Sequence, residues 1–290
     1  MRAKDHTTSD PLLSRCLVPV VALSLAGLLS AVAASAASPA PMDTTTPLPF
    51  ESANPLRLEV NIPAARVDAL LNGRIVASYP ATVGSPRNPT PDGSYEIDRV
   101  IWNPWWHPPA HRRPKDKVTS PGPRNPMGRV KLQFSTLYYV HGTAKEAEIG
   151  RATSRGCVRL RNEDALALAR LVHAYAGPDD LAPEELAALE ASPRRTRHIA
   201  LPRPVPVRLV YRVAEVRDGH LELYGDPYRM TSVPLAEAVH TALSEAGLAP
   251  RNVDRAAIDE LLAEGVPARL PLSALVARPE ERDLLSARNE

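Results

Sequence analysis

Cysteine is nearly absent from this chain, with only Cys16 and Cys157 in 290 residues. Cys16 precedes an apolar run and falls in a segment read below as a leader. Cys157 is then the sole thiol of the shortened chain, which excludes an intramolecular disulfide framework. A thiolate zinc site is disfavoured on the same ground, because no second thiolate accompanies Cys157. His107, His111 and His173 supply no ligand spacing either, so neither a metal nor a cofactor is expected. An excess of charge of one sign is also missing. Lys and Arg total 35 against 33 Asp and Glu, a formal +2, and nothing argues for a nucleic-acid partner. The one basic cluster, Arg194-Arg195-Thr196-Arg197-His198, is short and reads as a solvated loop. No internal repeat is visible.

What is present begins with an export signal. Arg2, Lys4 and Arg15 precede an uncharged apolar run from Leu17 to about Ala34. Ala34-Ser35-Ala36 then fits the small-x-small pattern of a signal-peptidase site. Removal of residues 1–36 is favoured over retention as a single anchor, so a membrane is a partner only if the leader stays. Residues 37–55, rich in Ala, Pro, Ser and Thr, read as a flexible linker.

From Leu56 to Ile62 apolar and polar residues alternate as in a half-buried strand. Asn72-Gly73 is a strong hairpin signal, and Ile75 to Val83 is the return strand. Thr90-Pro91-Asp92-Gly93 turns the chain into Ser94–Val100; Val130–Phe134 and Leu137–Val140 follow. The expected fold is mainly β, a sandwich or barrel. A long insertion carries all three tryptophans, Trp102, Trp105 and Trp106. They either wall a ligand cleft or cap the core. Asn162 is placed to cap a helix that Gly177-Pro178 ends, and a second helix is expected over about Pro183–Ala191. Val205 to Val216 reads as one strand, Asp218-Gly219 as a turn, and the chain from about Pro234 as helical.

The chemistry concentrates in Ser154-Arg155-Gly156-Cys157-Val158-Arg159-Leu160, with His141-Gly142-Thr143 upstream. A thiolate is the nucleophilic form of cysteine, and a histidine within reach can take its proton and return it to a leaving amine. His141 is expected at a strand end, and Cys157 just ahead of a helix whose positive end would favour thiolate. Arg155 and Arg159 flank the sulfur and are suited to holding a carboxylate. Each feature has a plainer reading: a buried inert cysteine, a structural histidine, solvated arginines.

These residues resemble the L,D-transpeptidases, the YkuD-like domains that cross-link bacterial peptidoglycan. The resemblance rests on Asn72-Gly73, Val83-Gly84, Thr90-Pro91-Asp92-Gly93, Asn125-Pro126-Met127-Gly128, His141-Gly142-Thr143 and the run from Ser154 to Asn162. It implies a YkuD-like β-sandwich or barrel over 56–216 with one or two helices, followed by a strand and helical extension over 217–290. Cys157 would be the nucleophile and His141 its base and acid. Gly156, Gly142, Ser154 and Arg155 would form or support the oxyanion site, and Arg159 and Tyr139 would contact substrate. The implied substrate is a peptidoglycan tetrapeptide stem, cut between diaminopimelate and D-alanine in the periplasm or cell wall. The implied acceptor is an amine: a second diaminopimelate, a lipoprotein lysine or a D-amino acid. A hydrolase using water and a non-catalytic wall-binding module are the alternatives. Many members of the family carry histidine at the place of Arg155, so the role of that side chain does not carry over.

Overall fold

The computed structural model describes residues 54–108, 117–249 and 252–275. The leader, most of the linker and His111 lie outside them. No described helix is long and apolar enough to cross a membrane.

Strand β1 (Leu56–Asn61) pairs antiparallel with β2 (Arg66–Leu71), which turns into β3 (Arg74–Pro80). The turn is Asn72-Gly73, with φ of 48° and 81°, the pair of positive angles that a tight two-residue hairpin requires. The remaining long strands are β5 (Gly93–Trp102), β6 (Val130–Ser135), β7 (Tyr138–Thr143), β9 (Val158–Arg161) and β10 (Arg197–Val210). Together they form one eight-stranded sheet in the order β3-β2-β1-β10-β5-β6-β7-β9. Its two ends nearly meet, because Thr82, just beyond β3, exchanges backbone hydrogen bonds of 2.8 and 2.9 Å with Arg159 of β9. The fold is therefore mainly β, an almost closed barrel. Short strands β4 (Val83–Gly84) and β8 (Ala152–Ser154) pair in parallel beside that seam.

Alternation along the strands decides what is inside. Val130, Leu132 and Phe134 of β6, Val140 of β7 and Val158 and Leu160 of β9 point into one aliphatic core. Helix α1 (Asn162–Ala176) closes it with Ala165, Leu168, Ala169 and Val172, and α2 (Pro183–Ala191) adds Leu189. Trp102 is fully buried there, and its indole N–H donates to His173 Nε2 at 3.0 Å. Trp105 is 48% exposed. The tryptophans thus divide between core and surface.

Several expectations need correction. Arg197 and His198 begin β10 and do not lie in a loop; they pair with Trp102 and Ile101. The expected strand Val205–Val216 is two strands, β10 and β11 (Ala214–Arg217). Strand β11 forms a hairpin with β12 (His220–Leu223), whose turn is the expected Asp218-Gly219. The chain from about Pro234, expected to be helical, also contains a strand. Strand β13 (Ala268–Pro271) completes a three-stranded sheet. With α3 (Leu235–Glu245), α4 (Arg255–Glu264) and α5 (Leu272–Leu275) it encloses a second core around Leu221, Leu223, Val239, Leu243 and Leu261. This module is tied to the barrel by charge. Arg66 of β2 bonds Glu215, and Arg217 bonds the buried Asp68 at 3.0 Å.

Candidate active site

The barrel register builds a polar row on the sheet face away from the core. Lys131 of β6 is paired with His141 of β7, and His141 in turn with Arg159 of β9. Because register partners point the same way, these three side chains share one face. The next row contains Gln133 and Tyr139. The parallel pairing of Val140 with Val158 carries Cys157, one residue before β9, alongside Tyr139. Lys131 Nζ lies 4.6 Å from the centroid of the Tyr139 ring, a cation–π contact.

His141 lies within β7 rather than at its end, and only 4% of it is exposed. Its Nδ1 is 2.7 Å from the Gly142 carbonyl. A carbonyl only accepts, so Nδ1 carries the proton and Nε2 is the basic nitrogen of the neutral ring. Burial lowers the imidazole pKa to about 4, and Arg159 and Lys131 push the same way. Hydrogen bonding to the Gly142 and Met127 carbonyls opposes them. His141 is therefore neutral near pH 7, the state a proton acceptor needs.

Cys157 is half-buried, and its Sγ is 3.5 Å from the carbonyl of Leu137. The turn that carries it is built by Ser154. The serine Oγ donates to the Cys157 carbonyl at 2.6 Å and accepts from the Gly156 N–H at 3.0 Å. The Gly156 N–H is thereby occupied, so the contribution of this glycine is conformational. Its φ is +105°, and an added Cβ would lie 2.8 Å from the Tyr138 ring, so other residues are strained here. The helix expected just after Cys157 is displaced. Four residues of β9 intervene, roughly 13 Å of strand, and the end of α1 is too far away to favour a thiolate. Lys131 is the nearer cation. Burial lowers its own pKa, and the charge of Cys157 opposes that shift.

Arg159 reaches Glu148 at 2.5 Å and the Thr153 carbonyl at 3.4 Å. Its guanidinium orders the loop between β7 and β8. Arg155 is exposed. Asn162, expected to cap α1, does not do so; the cap position is Arg161, whose side chain makes no capping hydrogen bond and instead pairs with Asp164 at 3.8 Å. The Asn162 amide instead accepts from the Arg129 N–H at 2.9 Å and donates to the Thr143 carbonyl at 3.1 Å. It fits because Gly142 has no side chain: a Cβ there would stand 2.3 Å from Asn162 Oδ1. Asn162 thus joins the loop before β6 to the strand carrying His141, a role that only the folded arrangement reveals. Among the described residues, no group of three or more His, Cys, Asp or Glu is arranged to hold a metal.

A mainly β, nearly closed barrel of this kind belongs to a class that comparison with known proteins identifies. Residues 55–200 match the L,D-transpeptidase catalytic domain, YkuD, and the chain belongs to that family. It is 32% identical over 116 residues to a proposed L,D-transpeptidase of Bacillus subtilis (strain 168), YkuD, covering 40% of this chain and 59% of that protein. It is 37% identical over 98 residues to YbiS of Escherichia coli (strain K12), also a proposed L,D-transpeptidase, covering 31% and 32%. The chain therefore spans less than two thirds of these relatives. Among solved structures, L,D-transpeptidase 3 of Mycobacterium tuberculosis with a faropenem-derived adduct is similar over 54% of this chain and 60% of its own. That pair shares 17% identity at a TM-score of 0.35.

Proposed function

We propose that this protein is a peptidoglycan L,D-transpeptidase whose nucleophile is Cys157. The observation that carries the reading is the juxtaposition of a neutral His141, with Nε2 as acceptor, and the Ser154-built turn holding Cys157 on one sheet face. Family membership supplies the substrate class. In the first step Sγ–H leaves the Leu137 carbonyl and gives its proton to His141. The sulfur attacks the amide carbonyl between diaminopimelate and the terminal D-alanine of a tetrapeptide stem. His141 returns the proton to the departing amine, D-alanine leaves, and a thioester remains on Cys157. An acceptor amine (a second diaminopimelate, a lipoprotein lysine or a D-amino acid) then attacks the thioester, His141 takes the proton that the amine loses, and the sulfur leaves as thiolate and recovers that proton from His141.

Gly156 contributes its backbone angle and Ser154 its two hydrogen bonds. Gly142 leaves room for Asn162, and Tyr139 with Lys131 lines the approach to the sulfur. Arg159 acts through the Glu148 loop, whereas the exposed Arg155 is free of any such tie to the turn and meets substrate only at the rim. The leader over 1–36, the linker to 55 and an exported location, periplasm or wall, complete the reading. They follow from the sequence and from a substrate that lies outside the cytoplasm.

Incubation with tetrapeptide-bearing sacculi followed by muropeptide analysis tests the proposal. Diaminopimelate–diaminopimelate bridges, lipoprotein attachment or D-amino acid exchange would each name an acceptor. Tripeptides alone would identify a hydrolase, and unchanged sacculi with retained binding would identify a wall-binding module.

A further inference from the structure

A hydrogen-bonded path leads from the C-terminal portion of the chain into the Cys157 turn, and it begins outside the residues matched to the family. Tyr228 Oη accepts from the Thr90 N–H at 3.1 Å and donates to the Gly84 carbonyl at 2.8 Å. Thr90 Oγ1 accepts from the Gly84 N–H at 2.8 Å and donates to the Gly156 carbonyl at 3.0 Å. Every proton in this closed set has one donor and one acceptor, and Thr90 is only 2% exposed. The last acceptor belongs to the peptide that joins Gly156 to Cys157. Fixing that peptide plane fixes the direction in which the Cys157 side chain leaves the backbone.

Tyr228 is itself held in place. Its N–H donates to Tyr211 Oη at 2.8 Å, and the two rings lie 5.6 Å apart. Tyr211 Oη in turn donates to Asp226 at 2.5 Å, and Asp226 accepts from the N–H groups of Met230 and Thr231 at 3.0 and 3.1 Å. The segment from Asp226 to Thr231 is thus folded onto the end of the barrel, with the phenol aimed at Thr90.

We infer that Tyr228 is a positioning residue for the nucleophile: its hydroxyl holds Thr90, Thr90 holds the Gly156 carbonyl, and the Cys157 sulfur is aimed as a result. The segment that follows β12, packed on the barrel core through Tyr211 and Tyr228, then braces the turn that carries Cys157. This inference rests on the proposed role of Cys157 as nucleophile. Tyr228→Phe removes the hydroxyl and keeps the ring contact with Tyr211. Thr90→Val removes the next link.

The test uses full-length protein and two measurements: acylation of Cys157 by a carbapenem, followed by intact mass against time and concentration, and hydrogen exchange of the peptide spanning residues 154–160. Both variants are expected to acylate about ten-fold more slowly, with half-saturating concentration changed less than about two-fold. The double variant should be no slower than either single, since one path is cut twice. Exchange in 154–160 should accelerate in both. A Tyr228→Phe protein with wild-type acylation and wild-type exchange overturns the inference and leaves the proposed function standing. Wild-type protein that fails to acylate sinks the proposed function instead, and the exchange comparison still decides whether Tyr228 orders the turn.

Discussion

His141 and Arg159 face each other across the parallel ladder of β7 and β9, with Lys131 on the other side of the histidine. Two cations therefore flank a buried imidazole that carries its proton on Nδ1. Burial, reinforced by the two cations, keeps the histidine neutral, and Lys131 interacts electrostatically with Cys157.

Stability should fall as the solution is acidified. Burial lowers the pKa of both His141 and His173 from 6.5 to about 4. Below about pH 6.5 the unfolded chain takes up protons that the folded chain refuses until about pH 4. The stability these neutral rings contribute is present above that window and is lost as pH falls through it, on the order of 3 kcal/mol per histidine. Urea unfolding at pH 7, 6 and 5 measures this. His173→Gln, which still accepts from Trp102, should flatten part of the curve; no pH dependence over that range would refute the account.

Lys131 should favour the thiolate. Replacing it with Met removes the positive charge beside Tyr139 and Cys157. The midpoint of the iodoacetamide alkylation–pH profile of Cys157 is expected to rise by about half a pH unit or more. A midpoint that stays put or falls would show that Lys131 does not act on the sulfur.

Ser154 should matter through its hydrogen bonds. The residue is 1% exposed, and its hydroxyl serves both Gly156 and Cys157. Ser154→Ala leaves a buried N–H without its acceptor, at a cost of about 1–3 kcal/mol. Thermal unfolding should shift downward and D-alanine release should slow about ten-fold; wild-type values for both would contradict the role given to the turn.

Arg159 and Glu148 should behave as one unit. Arg159→Met and Glu148→Gln each break the same ion pair. If the arginine acts by ordering the loop, each variant loses a similar amount of activity and the double variant little more. If Arg159 holds a substrate carboxylate directly, Arg159→Met alone raises KM strongly, and Glu148→Gln leaves KM near wild type.

Local signals marked much of this architecture. Asn72-Gly73 and Asp218-Gly219 mark hairpins because only certain residues accept positive φ at both turn positions. Alternation in Val130–Phe134 gave away the face that meets the core. His141 and Cys157 were visible as a pair of reactive types. What escaped depends on contacts between distant segments. Asn162 looks like a helix cap in the sequence, yet its amide is claimed by Arg129 and Thr143 once β6 and β7 come together. The pairing of β1 with β10 joins residues about 150 positions apart, and no local pattern encodes it. Arg197 and His198 looked like a loop because exposed basic residues also populate the first positions of a strand. The link from Tyr228 to Thr90 spans 138 residues, and its donor and acceptor atoms become neighbours only after the C-terminal segment docks.

The most direct test of the central claim is intact mass of the full-length protein after exposure to a carbapenem under native conditions, alongside Cys157→Ala. A β-lactam amide is strained and acylates an activated thiol. The account predicts a stoichiometric mass increase equal to one carbapenem, mapped by peptide analysis to Cys157 and absent from Cys157→Ala. Folded wild-type protein that gains no mass, or an adduct that persists in Cys157→Ala, would contradict it.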